Sequence, residues 1–148
     1  MTEAAPKVII DAVRWWTPTS DKSVDFTEVK DYIISLKNRG FRLGMVTFDR
    51  WNSHDMMQQL KAYGIPTEIL SVAKKHYDDM ALVVTEERLN GPRIDLLTDE
   101  LLQLRIIKDK VDHPRKGSKD LADAVCGSIY NAIAHTPMGS REVEVHTY

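Results

Sequence analysis

The sequence lacks the features that mark secreted and membrane proteins. Among its 148 residues there is a single cysteine, Cys126, which cannot form a disulfide within the chain and fits a reducing compartment. No apolar run approaches the roughly 18 residues that a membrane-spanning helix needs. The opening residues, MTEAAPKVII, lack the basic and apolar regions of a signal peptide. We therefore expect neither a membrane partner nor secretion.

Several common catalytic motifs are also missing. No glycine-rich phosphate loop is present, so ATP is not expected as a partner. No G-x-S-x-G motif marks a hydrolase nucleophile. His54, His76 and His113 lack the close spacing and the accompanying cysteines of a zinc site. Any catalytic or metal-binding site therefore has to be formed by other residues.

The chain also has little net charge, but its charges are unevenly distributed. The formal net charge is -2, which excludes an overall basic nucleic-acid binder. Between Arg105 and Lys119, however, six basic residues face two acidic ones, a net of +4, so the rest of the chain carries -6. A basic segment on an acidic body suits a phosphate-binding edge. A solvated surface loop explains the same charges equally well.

Hydrophobic patterning predicts one α/β domain. The chain is 43% hydrophobic and 28% charged, which is ordinary for a globular protein, and it is long enough for a real core. Strand-like and helical segments alternate, as in a layer of parallel strands covered by helices. The predicted strands are residues 7–16, 43–48 and 67–72, with an edge strand at 105–111. Five helices are predicted, at residues 25–39, from a cap at Ser53 to near Gly64, and at 75–89, 98–104 and 119–135. Within the helix predicted at 75–89, a strand at residues 80–84 is an alternative.

The second predicted strand leads directly into a carboxylate. The stretch VTFDRWNS runs from three strand-like residues to Asp49, followed by a turn. Ligand sites in open α/β sheets lie just beyond the carboxyl ends of strands, so Asp49 stands at a favourable position. An aspartate is also a common turn residue, and for Asp49 alone that explanation is the stronger one.

Two further carboxylates lie on the last predicted helix, KDLADAVCGSIYNAI. Asp120 and Asp123 are three residues apart and therefore share a helical face. Because this helix is apolar nearly all round, we expect it to be buried, and a buried carboxylate needs a partner. That partner is either a basic side chain or a divalent cation held together with Asp49. Asp120 is equally well explained as a first-turn acid favoured by the helix dipole.

Together these segments resemble a known family. The run from VDFTEVKDYIISLKNRG through VTFDRWNSHDMMQQLKAYGI, followed by KVDHPRKGSKDLADAVCGSIYNAI, is similar to the C-terminal nuclease domain of phage terminase large subunits. The paired signals are FDRW-x-S and HP-x-x-GSKD-x-x-DA, and the resemblance covers about residues 7–135. These proteins cut concatemeric phage DNA during packaging, in the host cytoplasm.

The resemblance implies a fold, a site and partners. It implies an RNase H-like three-layer α/β domain over residues 7–135, with an extension at 1–6 and a tail without clear periodicity at 136–148. It implies a metal-dependent endonuclease in which Mg²⁺ or Mn²⁺, as two ions, is held by Asp49 and Asp123, with Asp120 as a third candidate. Double-stranded DNA is the implied substrate, with phosphate contacts from Arg115, Lys116 and Lys119. The further implied partners are another copy of the chain or a terminase or portal component.

The sequence also departs from the family pattern. The family's first two strands, one of which carries the first metal-binding acid, have no counterpart before residues 7–16, and the ATPase domain has none either. We therefore expect an N-terminally truncated version of the fold, with a sheet edge that a partner covers. Asp11 is a candidate replacement for the missing acid. The alternative function is a catalytically incomplete fragment that binds DNA or a partner.

Overall fold

The structure is a computed structural model that describes residues 5–50, 53–114, 117–135 and 143–147. The strands are β1 (Val8–Ile9), β2 (Leu43–Phe48), β3 (Thr67–Ile69), β4 (Leu89–Asn90), β5 (Arg105–Ile107), β6 (Lys110–Asp112) and β7 (Val143–Thr147). The helices are α1 (Phe26–Asn38), α2 (His54–Ala62), α3 (Lys74–Thr85), α4 (Asp95–Gln103) and α5 (Asp120–His135).

Strand β2 is the centre of the main sheet, between β3 and β7. Both neighbours run parallel to β2, with Phe48 in register with Ile69 on one side and with Thr147 on the other. The last four residues of β2 are all buried. Four consecutive buried residues, three of them apolar, are typical of a strand covered on both faces in a parallel sheet. The predicted α/β class with parallel strand pairs is therefore confirmed.

Two hydrophobic clusters form the core. The first joins α1, β2 and α2 through residues that include Ile33, Phe48 and Leu60, each no more than 1% exposed. The second joins β1, α3 and α5 through residues that include Val83, Cys126 and Ile129. Helix α5 is thus buried along most of its length, as its apolar composition predicts.

Most of the predicted helices are confirmed. The helix predicted at 25–39 is α1, whose first turn is capped by the Asp25 carboxylate accepting the Thr27 N–H at 2.8 Å. The helix predicted at 75–89 is α3, so the alternative strand at 80–84 is wrong. Helix α3 ends at Thr85, and the chain then forms β4. Helix α4 begins three residues before the predicted position. Among the described residues, no helix is both long and apolar enough to cross a membrane.

The strand predicted at 7–16 is mostly wrong. Only Val8–Ile9 is a strand, and its parallel partner β4 is equally short. The Ile10 N–H still donates to the Asn90 carbonyl at 2.8 Å, and then the pairing stops. A Cβ added at Gly91 would lie 2.9 Å from the Ile10 Cβ, so glycine permits this close approach. The β-branched composition of the segment predicted extended backbone but not the length of its partner.

Three other predictions need correction. The edge strand predicted at 105–111 is an antiparallel hairpin, β5 and β6, which turns at Lys108 and Asp109, both at positive φ. The segment predicted as a tail without regular structure, residues 136–148, contains β7. Its five residues pair with Leu43 and with Met45 to Phe48 of β2, across a register shift at Gly44. The two strands are about a hundred positions apart in the sequence, so local periodicity does not reveal their pairing. The third strand ends at Ile69 rather than at residue 72.

Candidate functional site at the carboxyl edge of the central strands

Asp49 lies at the position that its sequence context predicts. It follows the last residue of β2 directly and is exposed to solvent. Its Oδ1 accepts the N–H of Arg50 at 2.7 Å, and its carboxylate makes no other hydrogen bond or ion pair with the residues that the structure describes. Next to it, the pairing between β2 and β3 extends one residue past the end of β3, because the Leu70 N–H donates to the Phe48 carbonyl at 2.8 Å. Asp49 therefore marks the carboxyl edge of two parallel strands.

Helix α2 begins at His54, five residues after Asp49, with Ser53 at the N-cap position. The predicted cap position is right, but the hydroxyl of Ser53 does not cap the helix. This side chain is buried, and its Oγ has no hydrogen-bond partner in the part of the chain that the structure describes. The first-turn N–H groups of α2 are thus not capped by Ser53.

Asp123, in the first turn of α5, has two hydrogen-bonding partners. Its Oδ1 accepts the hydroxyl of Tyr77 at 2.6 Å, and its Oδ2 lies 2.8 Å from the Nζ of Lys119. The side chains of Lys119 and Asp123 are 22% and 17% exposed. The sequence predicts either a basic side chain or a divalent cation as the partner of this carboxylate. In the structure the basic side chain of Lys119 is bonded to it, together with the hydroxyl of Tyr77.

Asp120 differs from Asp123 in its surroundings. It begins α5 and is exposed, and its carboxylate makes no hydrogen bond or ion pair with the described residues. Its backbone N–H is 3.2 Å from the Oγ of Ser118. Asp120 is therefore available to a cation without displacing a partner.

Tyr77 connects the carboxyl edge of the sheet to α5. Leu70 is paired with Phe48, and after four more residues the chain enters α3 at Lys74. Tyr77 lies in the first turn of α3 and donates to Asp123. Two hydrogen bonds and the chain between them thus form a bonded path from the end of β2 to the start of α5. The first joins Phe48, the residue before Asp49, to Leu70, the chain then runs into α3, and the second joins Tyr77 to Asp123.

Glu100 is a residue of this region that the sequence analysis missed. It is 7% exposed on α4, and its Oε2 accepts the N–H of Ala122 at 2.8 Å. A carboxylate at the amino end of a helix is favoured by the helix dipole and satisfies a free N–H group. The available signal was a glutamate among leucines in LLTDELLQL, on the face that packs inward.

A second missed contact fixes α5 against the central strand. The Nδ2 of Asn131, which is fully buried, donates to the Oγ1 of Thr47 at 2.8 Å. Thr47 lies on β2, two residues before Asp49. Each of these two buried polar side chains gives the other a hydrogen-bonding partner. Because 84 residues separate them in the sequence, local patterns do not predict the pair.

Burial shifts the pKa of two titratable groups, Cys126 and His76. Burial raises the pKa of the Cys126 thiol to about 12, and the negative charge of Asp123 adds to the shift. Burial also lowers the pKa of His76, with a smaller contribution from Lys75. The Nδ1 of His76 accepts the N–H of Ala73 at 2.8 Å, and its ring packs edge-on against Tyr130. Cys126 is therefore a protonated core residue, and His76 is a neutral cap of α3.

The remaining predicted site residues are distributed as follows. Within the described ranges, no three histidine, cysteine, aspartate or glutamate side chains cluster in a way that could hold a metal ion. Asp11 is exposed beyond the end of β1, which pairs with β4 and not with β2. Arg115 and Lys116 lie outside the described residues. Metal binding by Asp49, Asp120 and Asp123, and DNA contacts by Lys119, stay predictions.

Comparison with known proteins gives one distant similarity. No family model matches the chain, and no solved structure matches it. The Uncharacterized protein MJ0330 of Methanocaldococcus jannaschii is 32% identical over 142 residues, covering 87% of this chain and 26% of that protein. The chain thus spans about a quarter of the length of this relative. It is similar to one segment of a much longer archaeal protein.

Proposed function

We propose that the chain is a metal-dependent DNA endonuclease domain of the phage terminase type, with an RNase H-like fold. The observation that carries the proposal is the bonded path from the end of β2 to the start of α5. It connects the strand that leads into Asp49 with the helix turn that bears Asp120 and Asp123. The substrate is concatemeric double-stranded DNA, cut for packaging.

The carboxyl edge of a parallel sheet suits this role. Strands of this kind end where the helices that follow them begin, so side chains from different elements meet there. Here Asp49 follows β2, Tyr77 opens the helix after β3, and Asp123 hydrogen-bonds to Tyr77. The hydrogen bond between Asn131 and Thr47 holds α5 against the same strand.

The three aspartates supply the type of ligand that a hard divalent cation prefers. Mg²⁺ and Mn²⁺ prefer oxygen ligands, which carboxylates supply. Asp49 and Asp120 are exposed, whereas a cation at Asp123 competes with Lys119 for the Oδ2 of that carboxylate. When bound, a pair of such ions supplies an activated water and stabilises the leaving oxygen in phosphodiester hydrolysis.

Lys119 fits a second part of the proposal. Released from Asp123, its ammonium group is free to contact a DNA phosphate, and this contact does not depend on base sequence. Arg115 and Lys116, which precede it in the chain, extend the same basic segment. DNA binding then draws Lys119 away from Asp123 and frees that carboxylate.

A second candidate function is favoured by the ion pair itself. A carboxylate already neutralised by Lys119 needs no metal, and the described residues contain no group of three metal-binding side chains. The alternative is therefore a domain of the same fold that binds DNA, another copy of the chain, or a terminase or portal component, without cutting DNA.

Binding of Mn²⁺ distinguishes the two candidates. Free Mn²⁺ is measured by electron paramagnetic resonance during titration of the wild type, Asp49→Asn, Asp120→Asn and Asp123→Asn. The control is Asp31→Asn, an exposed aspartate on α1. The endonuclease proposal expects binding in the wild type and the control, and weaker binding in Asp49→Asn and in at least one of the two α5 variants. No binding in the wild type would contradict it and favour the binding module.

A further inference from the structure

A surface cavity of about 190 Å³ lies between α3 and α5, away from the residues proposed to bind metal or DNA. The first turns of these two helices are joined by the hydrogen bond between Tyr77 and Asp123. Their last turns, which end at Thr85 and His135, both contribute to the lining of the cavity. The cavity and the candidate metal site thus lie at different ends of the same pair of helices.

The cavity has an apolar floor and an apolar, exposed rim. Val83, one of the lining residues, is 1% exposed and belongs to the core cluster of β1, α3 and α5. Leu82 and Ile133, which also line it, are 53% and 40% exposed. Large apolar side chains that stay exposed around a concave surface are typical of a binding site.

Three polar side chains complete the lining: Asp79, Arg88 and Tyr130. The guanidinium group of Arg88 is already bonded on two sides. Its Nε donates to the carboxylate of Glu86 at 2.5 Å, and its Nη1 donates to the carbonyl of Pro6 at 2.8 Å. The positive charge of Arg88 is therefore compensated within the chain.

The carboxylate of Asp79 is not compensated in this way. It makes no hydrogen bond or ion pair with the residues that the structure describes, and the residue is exposed. After burial and the charge of Asp123, the charge of Asp79 also raises the pKa of the Cys126 thiol, so its field acts toward α5. The uncompensated charge at the cavity is therefore negative.

The ends of the two helices reinforce this negative charge. The carboxyl end of a helix carries a partial negative charge, which favours a cation near the last turn. Leu82 and Val83 lie in the last turn of α3, and Ile133 and Ala134 lie in the last turn of α5. A cation bound at this cavity would therefore lie close to two such helix ends as well as to Asp79.

We infer that this cavity binds a small aliphatic amine in its ammonium form. The alkyl chain packs on the apolar floor at Val83, and the ammonium group bonds to the carboxylate of Asp79 at the rim. A volume of about 190 Å³ holds about six groups the size of a water molecule, each of which occupies roughly 30 Å³ in the liquid. Pentylammonium is of this size.

The position of the carboxylate favours a free amine over the lysine side chain of a partner protein. In a lysine the ammonium group is at the tip of the side chain, so it would enter the apolar floor first and lose its water. In a free amine the unsubstituted end of the alkyl chain enters first. The ammonium group then stays at the rim, where both Asp79 and solvent are available to it.

Binding is measured by titrating the 15N-labelled chain with pentylammonium and following its assigned backbone amide signals by NMR, at pH 7.5 in EDTA. Pentan-1-ol has the same size without the charge, and pentanoate has the opposite charge. Nα-acetyl-lysine N-methylamide represents the side chain of a partner protein. The experiment requires neither metal nor DNA, so its outcome is independent of the proposed endonuclease function.

The variants are Asp79→Asn and Leu82→Ala, each with a matched control on the same helix. Asp78→Asn removes the same charge from a carboxylate that is paired with Lys74 and does not line the cavity. Val84→Ala shortens an apolar side chain that is 49% exposed and also lies outside the lining. Circular dichroism and the melting temperature verify that each variant is folded.

The expected result is a saturable change in the signals of the last turns of α3 and α5. Pentylammonium should bind about fivefold more tightly than pentan-1-ol or pentanoate, as one exposed ion pair provides. Asp79→Asn should lose this preference, and Leu82→Ala should weaken binding of pentylammonium by about threefold. The two controls should bind as the wild type does.

Three outcomes would overturn the inference. The first is that pentylammonium gives no saturable change at millimolar concentrations, or changes signals elsewhere in the chain. The second is that Asp79→Asn binds pentylammonium as tightly as the wild type does. The third is that the lysine derivative binds more tightly than pentylammonium, because the cavity would then accept the ammonium group at its floor.

Discussion

Lys119, the residue before α5, forms an ion pair with Asp123 in the first turn of that helix, with Nζ 2.8 Å from Oδ2. The hydroxyl of Tyr77 donates to the other oxygen of the same carboxylate. The ammonium group thus occupies the position from which a divalent cation would approach Oδ2. The proposed metal site and the proposed DNA contact share one salt bridge, so the two are expected to be coupled.

Replacing Lys119 should therefore change metal and DNA binding in opposite directions. In Lys119→Gln, Mn²⁺ affinity should rise by about fivefold, because a competing ion pair worth roughly 1 kcal/mol is removed. Binding of duplex DNA should weaken, because a phosphate contact is lost. Both are measured by titration, the DNA titration in EDTA.

The control for this prediction is Lys74→Gln. Lys74 forms an ion pair with Asp78 at the same spacing and the same 2.8 Å distance, on the exposed side of α3. Lys74→Gln should leave the Mn²⁺ affinity unchanged. If Lys119→Gln also leaves it unchanged, Asp123 is not a metal ligand.

The hydrogen bond between Thr47 and Asn131 should contribute strongly to stability. Thr47→Val keeps the shape of the side chain but removes the acceptor of the buried Asn131 amide. We expect a loss of about 1 to 3 kcal/mol in the free energy of unfolding, and a fall of about 3–10 °C in the melting temperature. Thr85→Val is the control, because the Thr85 hydroxyl is exposed and bonds within its own helix. A similar small effect of both variants would contradict this assignment.

Glu100 should stabilise the start of α5. Glu100→Ala removes the acceptor of the Ala122 N–H from a buried position, and we expect it to cost about 1 to 3 kcal/mol in urea unfolding. Glu100→Gln keeps an acceptor oxygen and should cost less. Asp99→Ala, at an exposed position of the same helix, should be nearly neutral. An equally large effect of Asp99→Ala would mean that α4, and not the cap on α5, is being perturbed.

Part of this arrangement is predictable from sequence, because it depends on local patterns. The apolar run of β2 and the turn after it locate Asp49, and the spacing of Val29 and Ile33 gives α1. The composition of α5 correctly predicts that Asp123 needs a partner. The partners themselves lie far along the chain: Tyr77 is 46 residues from Asp123, and Thr47 is 84 residues from Asn131. A single sequence carries no signal for such pairs, nor for the pairing of β7 with β2.

The pH dependence of stability should contain a contribution from His76. Burial lowers the pKa of His76 in the folded chain, so the folded state favours the neutral ring. In the unfolded chain His76 takes up a proton near its ordinary pKa of about 6.5. Its stabilising contribution is therefore present above that pH and is lost as the pH falls from there toward the folded-state pKa.

The test compares His76→Gln with the wild type at pH 7.5 and pH 5. At pH 7.5 the variant should melt about 3 °C lower, since it weakens a helix cap. At pH 5 the difference in melting temperature between the variant and the wild type should be smaller, because the wild type has lost the contribution of His76. His54→Gln, at an exposed histidine, should follow the wild type at both values. A difference that stays constant or grows at low pH would contradict the assignment.

The most direct test of the central claim is nicking of supercoiled plasmid by the 148-residue chain in the presence of Mn²⁺, beside Asp49→Asn and Asp31→Asn. The endonuclease proposal predicts that the wild type and Asp31→Asn convert supercoiled plasmid to the open-circular form, and that Asp49→Asn does not. Nicking that persists undiminished in Asp49→Asn, or a wild type that binds the plasmid without nicking it at any Mn²⁺ concentration, would contradict the proposal.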